Sequence, residues 1–88
     1  MAMYTTVEIE ERAGGYEWML IVKEDEYQHH YDIYEYKKKD GKWRLNYEDT
    51  RICGTTDEIV YDWYDKLLDW ADDDEEYERL KAEMEACE

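Results

Sequence analysis

The side chains that could carry out nucleophilic catalysis are few in this sequence of 88 residues. It contains no serine, and Cys53 has the adjacent pair His29 and His30 as its only histidine bases. An activated nucleophile needs a base within hydrogen-bond reach, and nothing in the spacing of these residues brings them together. We therefore expect a packed or exposed thiol, two solvated histidines and no catalytic residues.

Metal ligation is not expected from the residue pattern either. A set made of His29, His30, Cys53 and Cys87 matches no zinc-site spacing. The run 72–76, which is entirely acidic, lacks the alternating ligands and the central glycine of an EF-hand loop. Paired carboxylates are so abundant that their proximity is uninformative, and a hydrolytic pair needs a cleft. We predict a protein that is not an enzyme and that has no metal or cofactor.

The strongest signal in the composition is acidity. The net charge is −15, from 26 acidic and 11 basic residues. Residues 1–56 hold twelve acidic and eight basic side chains, whereas residues 57–88 hold fourteen and three, so the second segment contributes −11. Such a surface repels nucleic acid and anionic membranes and attracts basic protein surfaces. We expect a basic protein partner, no direct binding of nucleic acid and no membrane association.

The sequence shows no targeting segment. It has no apolar run long enough for a transmembrane helix and no signal-peptide pattern at the N-terminus, so we expect a cytoplasmic protein. Cys53 and Cys87 are then expected to be free thiols, because disulfides are rare in reducing compartments. Four Trp and ten Tyr provide large apolar surfaces for burial, and we predict a single domain over residues 1–88.

Residues 1–54 show the alternation of an antiparallel sheet. Strands are predicted over residues 4–13, 16–23, 31–38 and 43–48. Gly14-Gly15 and Asp40-Gly41 indicate tight hairpin turns. The pattern leaves open whether the sheet continues through residues 51–53 before Gly54 ends it.

At Thr55 the apolar period changes from 2 to 3.6 residues. The order Thr55-Thr56-Asp57-Glu58 indicates a capping box, in which Thr55 caps a helix and Glu58 reaches back. An apolar stripe follows at helical spacing, formed by Ile59, Trp63, Leu67 and Trp70. Aspartate is a good cap and a poor helix-interior residue, so we favour a break at residues 72–74 and a second helix over 75–87. One continuous helix is the alternative.

These elements predict an α+β fold, in which a four-stranded antiparallel meander (1–54) is followed by one long or two short C-terminal helices (55–88) packed on one face. The predicted core consists of Trp18, Leu20, Val22, Ile33, Trp43, Leu45, Ile59, Trp63, Leu67 and Trp70.

Acidic side chains follow the face of the helix opposite the apolar stripe. At about 100° per residue, and provided that the helix runs through the aspartate cluster, they form one ladder made of Glu58, Asp62, Asp65, Asp69, Asp72 and Glu76. Asp73 lies in the same cluster, and Tyr61 and Leu68 flank the ladder. Like charges one turn apart destabilise a helix by about 0.2–0.5 kcal/mol per pair. Acidity kept at that cost favours a binding role over a merely solvated face.

The chain resembles the small acidic inhibitors of bacteriophages and mobile elements, the DNA mimics and anti-CRISPR proteins. The resemblance rests on size, acidity and aromatic content, and on the segments Asp62-Trp63-Tyr64-Asp65 and 69–74. It implies a non-enzymatic protein of the host cytoplasm that blocks the nucleic-acid-binding surface of a basic protein. The predicted partner-binding residues are Glu58, Tyr61, Asp62, Asp65, Leu68, Asp69, Asp72, Asp73 and Glu76.

A second hypothesis places the contact surface on the sheet. Tyr34, Tyr36 and Tyr47 are candidates for exposed aromatic positions, and aromatic rings are favoured at interfaces. On this hypothesis the protein is a small interaction, assembly or toxin-neutralising module, and a homodimer is one form that it can take.

Overall fold

The computed structural model describes residues 2–27 and 30–87. It confirms the α+β fold. A single antiparallel sheet in the order β1-β2-β3-β4 is followed by two helices. The strands are β1 (Met3–Ala13), β2 (Tyr16–Asp25), β3 (Tyr31–Lys39) and β4 (Lys42–Arg51), and the helices are α1 (Thr56–Leu68) and α2 (Asp74–Glu85).

Both predicted hairpin turns are confirmed, and each has two central residues with positive φ. These residues are Gly14 (63°) with Gly15 (81°) and Asp40 (53°) with Gly41 (75°). Two successive positive φ angles define the type I′ turn, whose twist matches that of the adjoining strands. The open question about the end of the sheet is also answered, because β4 ends at Arg51.

The predicted break into two helices is confirmed, and the alternative of one continuous helix is wrong. Thr55 caps α1 by accepting a hydrogen bond from the backbone N–H of Glu58 at 3.2 Å. Asp73 caps α2 in the same way, accepting from the N–H of Glu76 at 2.8 Å. Helix α1 therefore ends before the aspartate cluster, and the cluster provides the cap of the next helix, as the preference of Asp for N-cap positions predicts.

The two helices cover one face of the sheet. The buried residues are Ala13, Trp18, Leu20, Val22, Tyr31, Ile33, Ile59, Val60, Trp63, Tyr64, Leu67, Leu80 and Met84, together with the polar Asp25 and Glu35. No residue of β4 is buried. The sheet thus extends beyond the helices on the side of β4, and this strand is exposed on both of its faces.

Three residues predicted for the core lie outside it. Leu45 is 51% exposed, Trp70 is 36% exposed and Trp43 is half-buried. A β-bulge explains the two residues of β4. Glu35 pairs with Tyr47, but Tyr36 already pairs with Leu45.

Asn46 is therefore an extra residue, and an extra residue reverses the alternation of side chains. Tyr47 lies on the helix side of the sheet, whereas Leu45 and Trp43 lie on the open side. Trp70 is exposed for another reason, because α1 has already ended before it. One face of its ring still stacks on Trp18, with ring centroids 4.6 Å apart.

Candidate protein-binding surface

The predicted acidic ladder exists over the length of α1. Glu58, Asp62 and Asp65 are exposed on the helix, and Asp69 is exposed at its C-cap. Their spacing of three or four residues places them about one helical turn apart, roughly 5.4 Å along the axis. The buried stripe of α1 lies on the opposite side, so these four carboxylates share a solvent-facing row.

The extension of that row to Asp72 and Glu76 is wrong, because the helix does not run through the cluster. Glu76 accepts hydrogen bonds from the N–H groups of Gly14, at 2.9 Å, and Asp72, at 3.0 Å. It therefore ties the α1–α2 connection to the β1–β2 turn. Asp73 is the N-cap of α2. We call residues 69–76 the acidic turn; it is a second acidic patch, adjoining the row on α1.

Few of these carboxylates are neutralised by a cation. Asp62 forms an ion pair with Arg51, with 2.9 Å between Nη2 and Oδ2. Within residues 2–27 and 30–87, Glu58, Asp65, Asp69 and Asp72 form no ion pair. Their mutual repulsion is relieved only by solvent and salt, and their negative potential is available to a basic partner.

Tyr61 and Leu68 expose less apolar surface to a partner than the sequence predicts. Both are half-buried and pack against the hydrophobic core. They occupy the border between the acidic row and the interior, so only part of each side chain reaches solvent beside the carboxylates.

A buried carboxylate in β3 was missed by the functional analysis of the sequence. Glu35 is 1% exposed. It accepts hydrogen bonds from Trp63 Nε1 at 3.0 Å, from Lys66 Nζ at 3.1 and 3.2 Å and from Asn46 Nδ2 at 2.8 Å. Both oxygens are satisfied, as a buried charge requires. The alternation of Tyr31, Ile33 and Glu35 places this side chain on the core face, but no local pattern indicates its donors.

The same contact explains why Lys66 does not neutralise the acidic row. Its ammonium group is bound to Glu35 and lies 4.5 Å from the centre of the Tyr47 ring. Lys66 is the one basic residue of α1, and it is directed to the sheet. The acidity of the outer surface of α1 is therefore greater than its sequence alone suggests.

Of the residues considered for catalysis and metal binding, those that the structure describes do not assemble into a site. His30 Nδ1 contacts Asp25 Oδ2 at 3.1 Å, and Cys53 is exposed on the segment after β4. Burial, and then the nearby charge of Asp57, raise the pKa of the Cys87 thiol. His29 lies outside the described residues. Among the residues that the structure describes, no three side chains of the types that bind metals come together.

The open face of the sheet carries the aromatic surface of the second hypothesis. Tyr34 pairs with Ile21 and Tyr36 with Met19, on the side away from the helices. The bulge adds Leu45 to this face. It places Tyr47 on the helix side, so the expectation for Tyr34 and Tyr36 agrees with their positions but Tyr47 does not belong to this surface.

Comparisons with protein-family models, with curated proteins and with solved structures found no match. Neither α1 nor α2 has the length and apolar character needed to cross a bilayer.

Proposed function

We propose that this protein binds a basic protein through the acidic row of α1 and the acidic turn, and thereby covers the surface with which that protein holds nucleic acid. The observation that carries the proposal is the set of exposed carboxylates without ion pairs, Glu58, Asp65, Asp69 and Asp72. Lysine and arginine side chains arranged to grip phosphates would also attract these carboxylates.

The spacing of the charges supports this proposal. Carboxylates one helical turn apart lie roughly 5.4 Å from each other along α1. Phosphates follow one another at about 3.4 Å per step along the axis of one DNA strand. The acidic row therefore presents a lower charge density than nucleic acid, but one of the same sign and of similar one-dimensional arrangement.

The test is a double charge reversal, Asp65→Lys/Asp69→Lys. The matched control is Glu8→Lys/Glu10→Lys, which makes the same change of charge at two exposed positions of β1. Circular dichroism and thermal melting establish that both variants are folded. We expect the unaltered protein to capture nucleic-acid-binding proteins at low salt, and DNA to displace it from them.

The reversal on α1 should abolish this capture and the control should retain it. Equal capture by both variants and the unaltered protein would show that the acidic row does not form the contact. Equal loss in both would show that net charge matters and that the position of the charges does not.

The second candidate function is a module that binds a partner through the open face of the sheet. It is favoured by one observation, the 51% exposure of Leu45 beside Tyr34 and Tyr36. Burial of apolar surface is insensitive to moderate salt, whereas charge pairing is not. Capture that survives high salt and is lost in Leu45→Lys would support this function in place of the first.

A further inference from the structure

The cations of this acidic protein are concentrated at one hairpin. Residues 37–44, which we call the basic tip, contain five of the 11 Lys and Arg residues and one acid, Asp40. The tip has a net charge of +4 in a chain whose net charge is −15. It comprises the end of β3, the Asp40-Gly41 turn and the start of β4.

Three cations of the basic tip have no acidic partner within residues 2–27 and 30–87. Lys39, Lys42 and Arg44 are exposed, and the described part of the chain places no carboxylate in ion-pair contact with them. Elsewhere Arg51, Lys66 and Arg79 are each paired with an acid, and Arg12, Lys23 and Lys81 are single cations that form no ion pair with a described residue. The tip differs from these single cations because its unpaired cations are grouped. The chain has 26 acidic residues with which these cations could pair. The basic tip is therefore a patch of positive charge kept apart from the acidic surface.

The basic tip and the acidic turn lie at the same end of the molecule. The acidic turn is held to the β1–β2 turn by the bond from Gly14 to Glu76. In an antiparallel meander the β1–β2 and β3–β4 turns share one end of the sheet. Their midpoints are two strand spacings apart, roughly 10 Å. Lys37 and Asp72 line the same surface cleft between the two patches.

We propose that this end of the molecule is an interface with a second copy of the same chain. Two copies meeting end to end about a twofold axis along the sheet normal place each basic tip against the acidic turn of the other. The same pairing then occurs twice, as a self-complementary twofold interface requires. The helices of both copies lie on one side of the joined sheets. This inference does not depend on the proposed function, and a second copy would compete for the acidic turn with the basic partner proposed there.

The net charge of the molecule gives its self-association a distinctive dependence on ionic strength. At about 0.01 M ionic strength the Debye length is roughly 30 Å, and the repulsion between two chains of −15 each acts across the whole dimer. At about 0.15 M it is roughly 8 Å, so that the charges in contact dominate. At about 1 M the Debye length is roughly 3 Å, and the attraction between the charges in contact is itself screened. Self-association is therefore strongest at intermediate salt.

The experiment uses two charge-reversed variants, alone and mixed, in sedimentation velocity at these three ionic strengths. The tip variant is Lys39→Glu/Lys42→Glu/Arg44→Glu. The turn variant is Asp69→Lys/Asp72→Lys/Glu75→Lys, which spares the capping residues Asp73 and Glu76. We expect the unaltered chain to sediment at twice its 10.9 kDa mass at about 0.15 M.

Each variant alone is expected to be monomeric. In the tip variant both patches are negative, at −2 for the tip and −6 for the acidic turn, and in the turn variant the acidic turn has no net charge with which to attract the tip. The mixture is expected to recover the dimer, because the unaltered acidic turn of the tip variant then faces the unaltered tip of the turn variant, and the reversed tip faces a turn that no longer repels it. Circular dichroism checks the fold, and the neutral variant Lys39→Gln/Lys42→Gln/Arg44→Gln, also expected to be monomeric, replaces the tip variant if that fails to fold. The control Lys23→Glu/Lys81→Glu, away from this end, should stay dimeric.

A monomeric unaltered chain at all three ionic strengths would overturn the proposal, and so would a mixture that stays monomeric. Anisotropy of labelled single-stranded DNA provides a further arm. An unaltered chain that remains monomeric and binds this DNA, while the tip variant does not, would assign the basic tip to phosphate binding. A tip variant that stays dimeric, with the same sedimenting mass as the unaltered chain, would also overturn the proposal. It would show that the lysines only protect the edge of the sheet.

Discussion

The buried carboxylate of Glu35 provides the sharpest test of how this small fold is held together. The perturbation is Glu35→Ala. It removes the acceptor of the indole N–H of Trp63, which is 5% exposed, and an unsatisfied buried donor costs about 1–3 kcal/mol. It also removes one buried methylene group, worth about 0.8 kcal/mol.

The loss of the ion pair with Lys66 adds little to this total. The side chain of Lys66 is 38% exposed, so the ammonium group regains water when the carboxylate is absent, and such a partner contributes about 0–1 kcal/mol. The expected destabilisation for Glu35→Ala is therefore about 2–5 kcal/mol. That is a large fraction of the 5–15 kcal/mol typical of a folded domain.

Urea unfolding followed by tryptophan fluorescence measures this value. The variant Glu35→Gln keeps the methylene groups and an acceptor for Trp63, so it should cost about 1–2 kcal/mol. The matched control is Glu48→Ala on the exposed strand β4, expected within about 0.5 kcal/mol of the unaltered protein. If Glu35→Ala cost no more than Glu48→Ala, the assignment of Glu35 as a structural anchor would be refuted.

Three further outcomes follow from the structure. Gly14→Ala should destabilise the protein by about 2 kcal/mol or more, because the new Cβ would lie 2.6 Å from a backbone oxygen of the acidic turn; Gly41→Ala, at a similar φ in open space, should cost less in the same urea titration. The pKa of Tyr64 is raised by its burial and by the carboxylate of Glu11 to which it donates. Its contribution to stability is therefore complete below the unfolded pKa of 10.0 and is lost as the pH rises from there through the higher folded pKa. Thermal melts at a series of pH values above 10.0 should show a smaller alkaline loss of stability in Tyr64→Phe than in the unaltered protein. Burial also raises the pKa of the Cys87 thiol, so iodoacetamide followed by mass spectrometry should find Cys53 alkylated first, and equal rates would contradict the partial burial of Cys87.

The element types could be predicted from the sequence because each is encoded locally. The Asp40-Gly41 turn needs two successive positive φ angles, and Asp-Gly is a pair that accepts them. Thr55 caps α1 through a bond to an amide only three residues away. The arrest of α1 before the aspartate cluster follows from the same preference of short polar side chains for caps.

The features that were missed depend on pairing between distant segments. The bulge at Asn46 places Leu45 on the open face of the sheet, and the residues of β4 alone show an unbroken alternation. The donors to Glu35 come from β4 and from α1, up to 31 residues along the chain. The break of the acidic ladder at Asp69 was predicted in part. The favoured break at residues 72–74 implied it, whereas the continuous ladder required one unbroken helix.

The contacts that close the structure also determine when it can close. The bond between Gly14 and Glu76 joins residues 62 apart, and the bond between Arg79 and Glu11 joins residues 68 apart. Contacts of such long range are slow to form, because the intervening chain must first be ordered. During synthesis the hairpins can pair early, but the apolar face of the sheet has no cover until the helices have emerged from the ribosome. The nascent chain therefore passes through a stage in which a finished sheet exposes its apolar face, and this stage is the one most open to aggregation or to capture by a chaperone.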